Sequence, residues 1–134
     1  MIAIIDYGAG NIQSVSKALR HIGCDCLVTR DPSVILRAEG AVLPGVGSFG
    51  DTADNLDRFG IRSAALEFMR SGKPFLGICL GQQVLMSSSE ESPDVKGLDL
   101  FKGNVEMLPA GVKIPHMGWN KLNVINDSPI LDGI

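Results

Sequence analysis

The chain has 134 residues, of which 45% are hydrophobic and 20% are charged, and its formal net charge is -3. This length and apolar content suit one globular domain with its own core, and no apolar run approaches the ~18 residues of a membrane-spanning helix. Because the Lys and Arg residues are few and scattered, charge gives no reason to expect a nucleic-acid or membrane partner. We therefore expect a cytoplasmic protein, in which the odd number of cysteines, three, predicts no disulfide framework.

The first half of the chain predicts strands that alternate with helices. Residues 2–5 form a short apolar run that ends in a glycine turn, as in a strand buried on both faces. Residues 11–22 repeat apolar side chains at helical spacing up to Gly23. A second strand is expected at 24–29 and a third at 41–43. Between them, Asp31 and Pro32 are typical of a helix cap and first turn, and predict a short helix that ends near Arg37.

The second half continues this alternation and then changes character. A glycine-rich segment, 44–50, leads to helices expected from about residue 51 and over 61–71. A strand is predicted at 75–78 and a helix at 81–86. Beyond Ser87 we expect Ser-rich turns and two strands, 103–108 and 121–125, that form an antiparallel extension. The alternation predicts a three-layer α/β sandwich around a mainly parallel sheet, with strand 75–78 in its centre.

Cys79 lies in the run Gly77-Ile-Cys-Leu-Gly-Gln-Gln83, between a predicted strand and a predicted helix. Ligands of open parallel sheets bind beyond the carboxyl ends of strands, and a sharp nucleophile turn needs small residues on both sides. The helix that follows would favour the thiolate, and the N–H of Leu80 would face an oxyanion formed by attack on an amide. A small buried thiol at a strand end is the competing interpretation, and geometry alone leaves both open.

The segment Pro44-Gly-Val-Gly47 offers a second donor for an oxyanion. Glycines on both sides of Val46 permit the peptide orientation that would direct its N–H into the site. An ordinary turn between a strand and a helix explains the same residues. By itself the segment favours the turn.

Four stretches occur in a fixed order: Ile4-Ile-Asp-Tyr-Gly-Ala-Gly-Asn11, Leu43-Pro-Gly-Val-Gly-Ser-Phe-Gly50, Gly77-Ile-Cys-Leu-Gly-Gln-Gln83 and Ile114-Pro-His-Met-Gly-Trp-Asn120. Together they resemble the class I (triad-type) glutamine amidotransferases, and within these the glutaminase subunits of imidazole glycerol phosphate synthase. The first and last stretches discriminate, because amidotransferases of other pathways share the cysteine turn and lack Pro-His-Met-Gly-Trp-Asn. The resemblance covers the whole chain and implies a flavodoxin-like sheet in one amidotransferase domain, residues 1–134.

This resemblance implies a role for each matching position. Cys79 would form the glutamyl thioester, and the backbone N–H groups of Val46 and Leu80 would stabilise the oxyanion. The residues implied in binding the substrate, glutamine, are Gly45, Gly47, Gln83 and Glu91. The implied partner is the cyclase subunit, a (β/α)₈ barrel that receives the ammonia. The residues implied at that interface are Asn11, Pro115, His116, Met117, Gly118, Trp119 and Asn120. No cofactor and no metal are expected.

Two departures from the family pattern stand out. Gln82 occupies a position where the family usually has Met. The family's catalytic His and Glu lie in a His-x-Glu motif near its C terminus, and no segment here matches it; the two histidines are His21 and His116. We therefore expect a domain truncated at its C terminus.

Two other patterns have simpler explanations. Cys24-Asp-Cys26 places two thiols on one face of a strand without a nearby histidine, which is more typical of core than of a metal site. Gly8-Ala-Gly10 lacks the third glycine and the later acidic residue of a dinucleotide site, so a tight turn is expected.

Three functions compete. The first is an enzyme subunit that hydrolyses glutamine and passes ammonia to the barrel partner. The second is a catalytically dead binding or regulatory module, which the missing His-x-Glu favours. The third is a redox or chaperone protein of the same sheet type, against which Gln83 and the Pro-His-Met-Gly-Trp-Asn stretch argue.

Overall fold

The computed structural model describes residues 1–126 and 128–131. Its main sheet has four parallel strands in the order β2-β1-β3-β4: β1 (Ile2–Ile5), β2 (Cys26–Thr29), β3 (Gly40–Leu43) and β4 (Phe75–Gly77). Each crossover contains helix, as parallel neighbours require. The predicted parallel sheet is confirmed, and the strands differ from their predicted bounds by two residues or fewer.

Five helices accompany these strands: α1 (Ile12–His21), α2 (Pro32–Arg37), α3 (Phe49–Arg58), α4 (Arg62–Arg70) and α5 (Leu80–Gln83). The predicted cap at Asp31 is confirmed as the N-cap of α2. The Asp31 side chain accepts a hydrogen bond from the Ser33 N–H at 2.8 Å, with Pro32 in the first turn of α2. Within the described residues, none of the helices has the length and apolar character needed to cross a membrane.

Helices cover both faces of the sheet, which gives the three layers expected. On one face, α1 packs against β1 and β2, and its Ser16 contacts the buried Cys26. The other face holds the main core, where Ala3, Ile5 and Leu43 of the sheet meet side chains of the remaining helices. The fully buried members of that core include Ile35, Phe49, Ala53, Leu56, Ile61 and Ala65.

Strand β4 is at the edge of the described sheet, so its predicted central position is wrong. It pairs with β3 alone, and the Leu76 side chain is 55% exposed on the α1 face. A continuous apolar run indicates burial on both faces, but it carries no information about the number of neighbouring strands. Leu76 lies in an apolar groove of about 530 Å³ that Val42 and Leu19 also line.

The predicted helix 81–86 ends early, at Gln83, and Met86–Ser89 is a strand, β5, rather than turn. Tertiary hydrogen bonds explain the change. The carbonyls of Val84, Leu85 and Met86 accept from the N–H groups of residues 98–101 instead of continuing a helix. Strand β5 pairs with β6 (Phe101–Val105) in a separate two-stranded sheet, and the pairing is parallel.

The predicted antiparallel extension is therefore wrong. Its first strand is found, shifted to Phe101–Val105, but residues 121–125 form no strand. Leu122 and Val124 are 77% and 56% exposed. Their alternation matches a strand, yet a strand needs a neighbour to satisfy its backbone, and none lies beside this segment in the described part of the chain. A short 3₁₀ helix follows at Pro129–Leu131.

Candidate active site

Cys79 occupies the sharp turn between β4 and α5, as predicted. Its backbone has φ 55° and ψ -120°, in a region that residues other than glycine rarely adopt. Such a conformation costs about 1–3 kcal/mol and persists only where the surrounding structure imposes it. The thiol is exposed. This strained backbone with an outward side chain is the geometry of a nucleophile turn.

Close backbone packing imposes that conformation. A Cβ on Gly81 would lie 1.9 Å from the carbonyl oxygen of Leu43, and one on Gly45 would lie 2.2 Å from the Gly81 nitrogen. A Cβ on Gly77 would lie 2.6 Å from the Gly81 carbonyl oxygen. No side chain fits at these positions, so the expected need for small residues on both sides of Cys79 is confirmed. The turn packs closely against the end of β3, where the Ile78 N–H donates a hydrogen bond to the carbonyl oxygen of Leu43 at 3.0 Å.

Helix α5 has four residues, so it aligns fewer peptide dipoles behind the thiol than the longer helix expected from the sequence. Its first turn is nevertheless regular. The N–H groups of Gln82 and Gln83 both donate to the carbonyl oxygen of Cys79, at 2.9 and 3.0 Å. As the first residue of α5, Leu80 has an N–H without an acceptor in the helix. Within the described residues, no backbone carbonyl accepts a hydrogen bond from that N–H.

The loop Pro44–Gly47 connects β3 to α3, and its Val46 side chain is 49% exposed. Gly47 has φ +100°, a conformation that favours glycine. Ser48 caps the helix that follows: its hydroxyl accepts from Asp51 N–H at 3.1 Å. The loop thus lies between two fixed points, the Gly45–Gly81 contact and the start of α3.

Tyr7 lies beneath this loop, and the sequence alone predicts no role for it. Its side chain is fully buried, and its hydroxyl makes no hydrogen bond of ordinary geometry within the described residues. The pKa of Tyr7 is raised, because the effect of burial exceeds the opposing effects of the neighbouring Thr52 hydroxyl and Val46 backbone. The signal available in the sequence was its place two residues after the end of β1, at the same end of the sheet as Cys79.

A cleft of about 340 Å³ opens beside α5. Leu80, Gln83 and Glu91 line it, together with residues 105–108 and 114–116. Cys79 directly precedes Leu80 in the sequence but is not one of the lining residues. The structure therefore brings together the predicted glutamine-binding residues Gln83 and Glu91 with the predicted oxyanion donor Leu80.

The family model of class-I glutamine amidotransferases matches residues 3–131. The chain belongs to this family. The matched range includes the turn at Cys79, the loop at Val46 and the cleft, so the resemblance found in the sequence is confirmed.

Curated relatives carry the name of the subunit that the sequence resembles, imidazole glycerol phosphate synthase subunit HisH. The protein from Methanothermobacter thermautotrophicus is 55% identical over 133 residues, which are 99% of this chain and 66% of the relative. Those from Methanosarcina barkeri and Moorella thermoacetica are both 51% identical, and the match covers 99% of this chain and 65% and 63% of theirs. The chain spans about two thirds of the length of these relatives.

A solved structure described as a glutamine amidotransferase superposes with a TM-score of 0.70 over 84% of this chain and 59% of that one, at 18% identity. At that identity the likeness concerns the fold. It agrees with the parallel sheet and the helices on both of its faces.

The amidotransferase residues predicted at a partner interface are spread over two places. Pro115 and His116 form part of the cleft wall, and beyond them Trp119 is fully exposed and Met117 is 84% exposed. Asn11 is the N-cap of α1, and its side chain accepts from Ser14 N–H at 3.3 Å. These positions are accessible to a partner, although the side chain of Asn11 also has this local role.

The remaining candidates lie apart from the cleft. Cys26 is buried and contacts Ser16, whereas Cys24 is half-buried. Within the described residues, no cluster of three or more His, Cys, Asp or Glu side chains could hold a metal. His21 is exposed in the last turn of α1.

Proposed function

We propose that this chain carries the nucleophile and the substrate cleft of a glutaminase that serves imidazole glycerol phosphate synthesis. The observation that carries the proposal is Cys79, an exposed thiol on a strained turn held by glycine contacts to the neighbouring loop. The relatives named HisH support the same assignment and weigh against a purely regulatory module.

In the proposed reaction the Cys79 thiolate attacks the side-chain carboxamide carbon of glutamine. The oxyanion that forms would accept hydrogen bonds from Leu80 and Val46 N–H groups. Collapse of this intermediate breaks the C–N bond, and the departing nitrogen takes a proton and leaves as ammonia. Water then cleaves the thioester to glutamate and restores the thiol. Gln83 and Glu91 would hold the substrate, with Gly45 and Gly47 shaping the loop.

The ammonia would pass to a cyclase subunit, a (β/α)₈ barrel, for formation of imidazole glycerol phosphate and AICAR. We propose a heterodimer in which Trp119 and its exposed neighbours contact that barrel. A cytoplasmic location goes with this proposal, because free thiols persist in reducing compartments.

The proposed reaction needs a group for proton transfer, and the sequence motif that supplies it in the family is absent from these 134 residues. Formation and cleavage of the thioester need a group that activates water and protonates the leaving amine, which in the family is the histidine of His-x-Glu. This sequence has no such motif. In serine proteases, removal of triad members leaves roughly 10³-fold acceleration over water from the oxyanion hole and binding. We therefore expect negligible turnover from the 134-residue chain.

The test measures ammonia release from glutamine by the purified chain with its cyclase partner, and uses Cys79→Ala as the control. The expected result is a rate close to that of the control. A separate fragment, comprising the part of the Methanothermobacter relative that this chain does not match, should raise the rate for wild type but not for Cys79→Ala.

Turnover well above the Cys79→Ala control without any added fragment would refute the argument about the base. His116 would then be the first group to examine, because it lines the same cleft as Gln83. His116→Ala would abolish that turnover if His116 were the base. Failure of glutamine to protect Cys79 from alkylation would refute the proposed glutaminase site itself.

A further inference from the structure

The peptide group that joins Gly45 to Val46 is free to turn within a loop whose ends are fixed. Within the described residues, neither the Gly45 carbonyl nor the Val46 N–H takes part in a backbone–backbone hydrogen bond. The glycines on both sides of Val46 restrict the backbone angles little. One end of the loop is held where Gly45 packs against Gly81. At the other end, the Glu91 carboxylate accepts a hydrogen bond from the Phe49 N–H at 2.7 Å.

The hydroxyl of Tyr7 lies beneath this peptide and is unpaired. The Tyr7 side chain is fully buried, and its oxygen makes no hydrogen bond of ordinary geometry within the described residues. Its neighbours include the backbone of Val46 and the hydroxyl of Thr52. A buried hydroxyl without a partner costs free energy, and native structures contain few of them. A second state of the loop, in which this hydroxyl is bonded, explains its presence.

Tyr7 has a proton to donate to the loop above it. A phenol hydroxyl carries one proton and two lone pairs. The pKa of Tyr7 is raised, chiefly by burial, so the phenol keeps its proton at neutral pH. The Thr52 hydroxyl already donates its one proton to the Ser48 carbonyl, at 3.0 Å. Of these two neighbouring hydroxyls, the one on Tyr7 is therefore the donor that remains for a carbonyl of the loop.

The two polar ends of a trans peptide point in opposite directions, and the peptide before Val46 is trans. The Cys79 thiol is exposed, whereas the Tyr7 hydroxyl is buried. Turning the Val46 N–H toward an oxyanion beside Cys79 therefore turns the Gly45 carbonyl away from the thiol and into the floor of the loop. A carbonyl placed there without a donor would cost free energy. The Tyr7 hydroxyl lies where that donor is needed.

We infer that Tyr7 is a positioning residue for the reaction of Cys79, because its hydroxyl donates to the Gly45 carbonyl when the adjoining N–H faces the oxyanion. The hydroxyl is unpaired in the structure and gains its bond only in the reacting state, so it favours that state over the resting one. The inference rests on the proposed glutaminase function. It assigns Tyr7 an effect on the chemical step and none on the binding of glutamine.

The experiment follows alkylation of Cys79 by a glutamine analogue in which a chloromethyl ketone replaces the amide. The thiolate sulfur bonds to the methylene carbon and chloride leaves, so the reaction needs no general base for turnover. Negative charge develops on the ketone oxygen during attack, which makes the rate sensitive to the N–H donors. Saturation kinetics give KI for binding and kinact for the chemical step. Mass spectrometry distinguishes the adduct on Cys79 from adducts on Cys24 and Cys26.

Tyr7→Phe removes the hydroxyl and keeps the ring that fills the core. We expect kinact to fall about tenfold, which corresponds to about 1.4 kcal/mol and matches the cost of one unsatisfied buried carbonyl. KI should stay within about twofold of wild type, because the analogue binds before the peptide turns. Iodoacetamide, which has no group that binds in the cleft, should label Cys79 at the wild-type rate.

Ser16→Ala is the matched control, because it also removes a buried hydroxyl, but on the α1 face of the sheet where Ser16 contacts Cys26. Both constants should stay within about twofold of wild type in this variant. Hydrogen exchange gives a reading that does not depend on kinetics. In the alkylated chain, the Val46 amide should exchange about tenfold faster in Tyr7→Phe than in wild type or Ser16→Ala.

The inference is overturned by a kinact within about twofold of wild type in Tyr7→Phe, or by an equal fall in Ser16→Ala. It is also overturned if a rise in KI accounts for the whole loss of labelling, because Tyr7 would then act on binding. Equal exchange of the Val46 amide in the alkylated wild type and Tyr7→Phe counts against it in the same way. A different result overturns the proposed function: labelling of wild-type Cys79 that neither saturates nor is prevented by L-glutamine.

Discussion

Gly81→Ala sets helix propensity against steric packing at the turn that presents Cys79. Gly81 lies within α5, where alanine is favoured over glycine by up to about 1 kcal/mol. The added Cβ, however, would lie 1.9 Å from the carbonyl oxygen of Leu43, whereas a carbon and a carbonyl oxygen in contact are normally about 3.3 Å apart. Both contacting groups are held by backbone, so no rotamer change relieves the clash.

The displaced carbonyl also accepts the Ile78 N–H, and that hydrogen bond at 3.0 Å would lengthen as the two segments separate. Overpacking costs about 1–3 kcal/mol, and a weakened buried hydrogen bond about 1 kcal/mol more. After the gain in propensity, we expect Gly81→Ala to lower the free energy of unfolding by about 2 kcal/mol. Cys79 should lose its defined orientation in the same variant.

Urea denaturation followed by far-UV circular dichroism measures this change. Gly118→Ala is the control, because a Cβ there has no atom within 4 Å and should alter the free energy of unfolding by less than about 0.5 kcal/mol. If Gly81→Ala unfolds at the same or a higher urea concentration than wild type, the close contact with Leu43 is not a determinant of the turn and the reasoning fails.

Three further predictions concern other parts of the molecule. The hydrogen-bonded ion pair with Arg30 lowers the pKa of Asp6 from 3.8, so the stabilisation by this pair should be present above pH 3.8 and disappear as the pH falls through the lowered pKa. The urea midpoints of wild type and Asp6→Asn should therefore converge on acidification. A constant difference between the two midpoints down to about pH 2 would contradict this. Tyr7→Phe removes a buried hydroxyl that lacks an ordinary hydrogen bond, so thermal denaturation should show no loss of stability. A fall of several degrees in the melting temperature would show that this hydroxyl makes a strong hydrogen bond. Trp119→Ala should weaken binding of the cyclase subunit by about 2 kcal/mol or more, as measured by calorimetry. It should leave the fold intact, because Trp119 is fully exposed. An unchanged affinity would show that Trp119 is not part of the interface.

The candidate site was largely visible in the sequence because its signals are local. A nucleophile turn needs glycine on both sides, and the spacing of Gly77, Cys79 and Gly81 predicts such a turn. Helix starts were equally clear where a capping side chain preceded them, as at Asp31. The long-range tie between Glu91 and Phe49 was not visible, since nothing near either residue specifies a partner 42 positions away.

The sequence by itself determined the alternation of strands and helices, the position of Cys79 between them and the family, because hydrophobic period, glycine placement and motif order are properties of short segments. Only the tertiary structure decided the edge position of β4, the early end of α5 and the parallel pairing of β5 with β6. Each of these depends on which distant backbone satisfies a strand or a helix end. The carbonyls of Val84 and Leu85 could have continued a helix, and the N–H groups of Leu98 and Leu100 bind them instead.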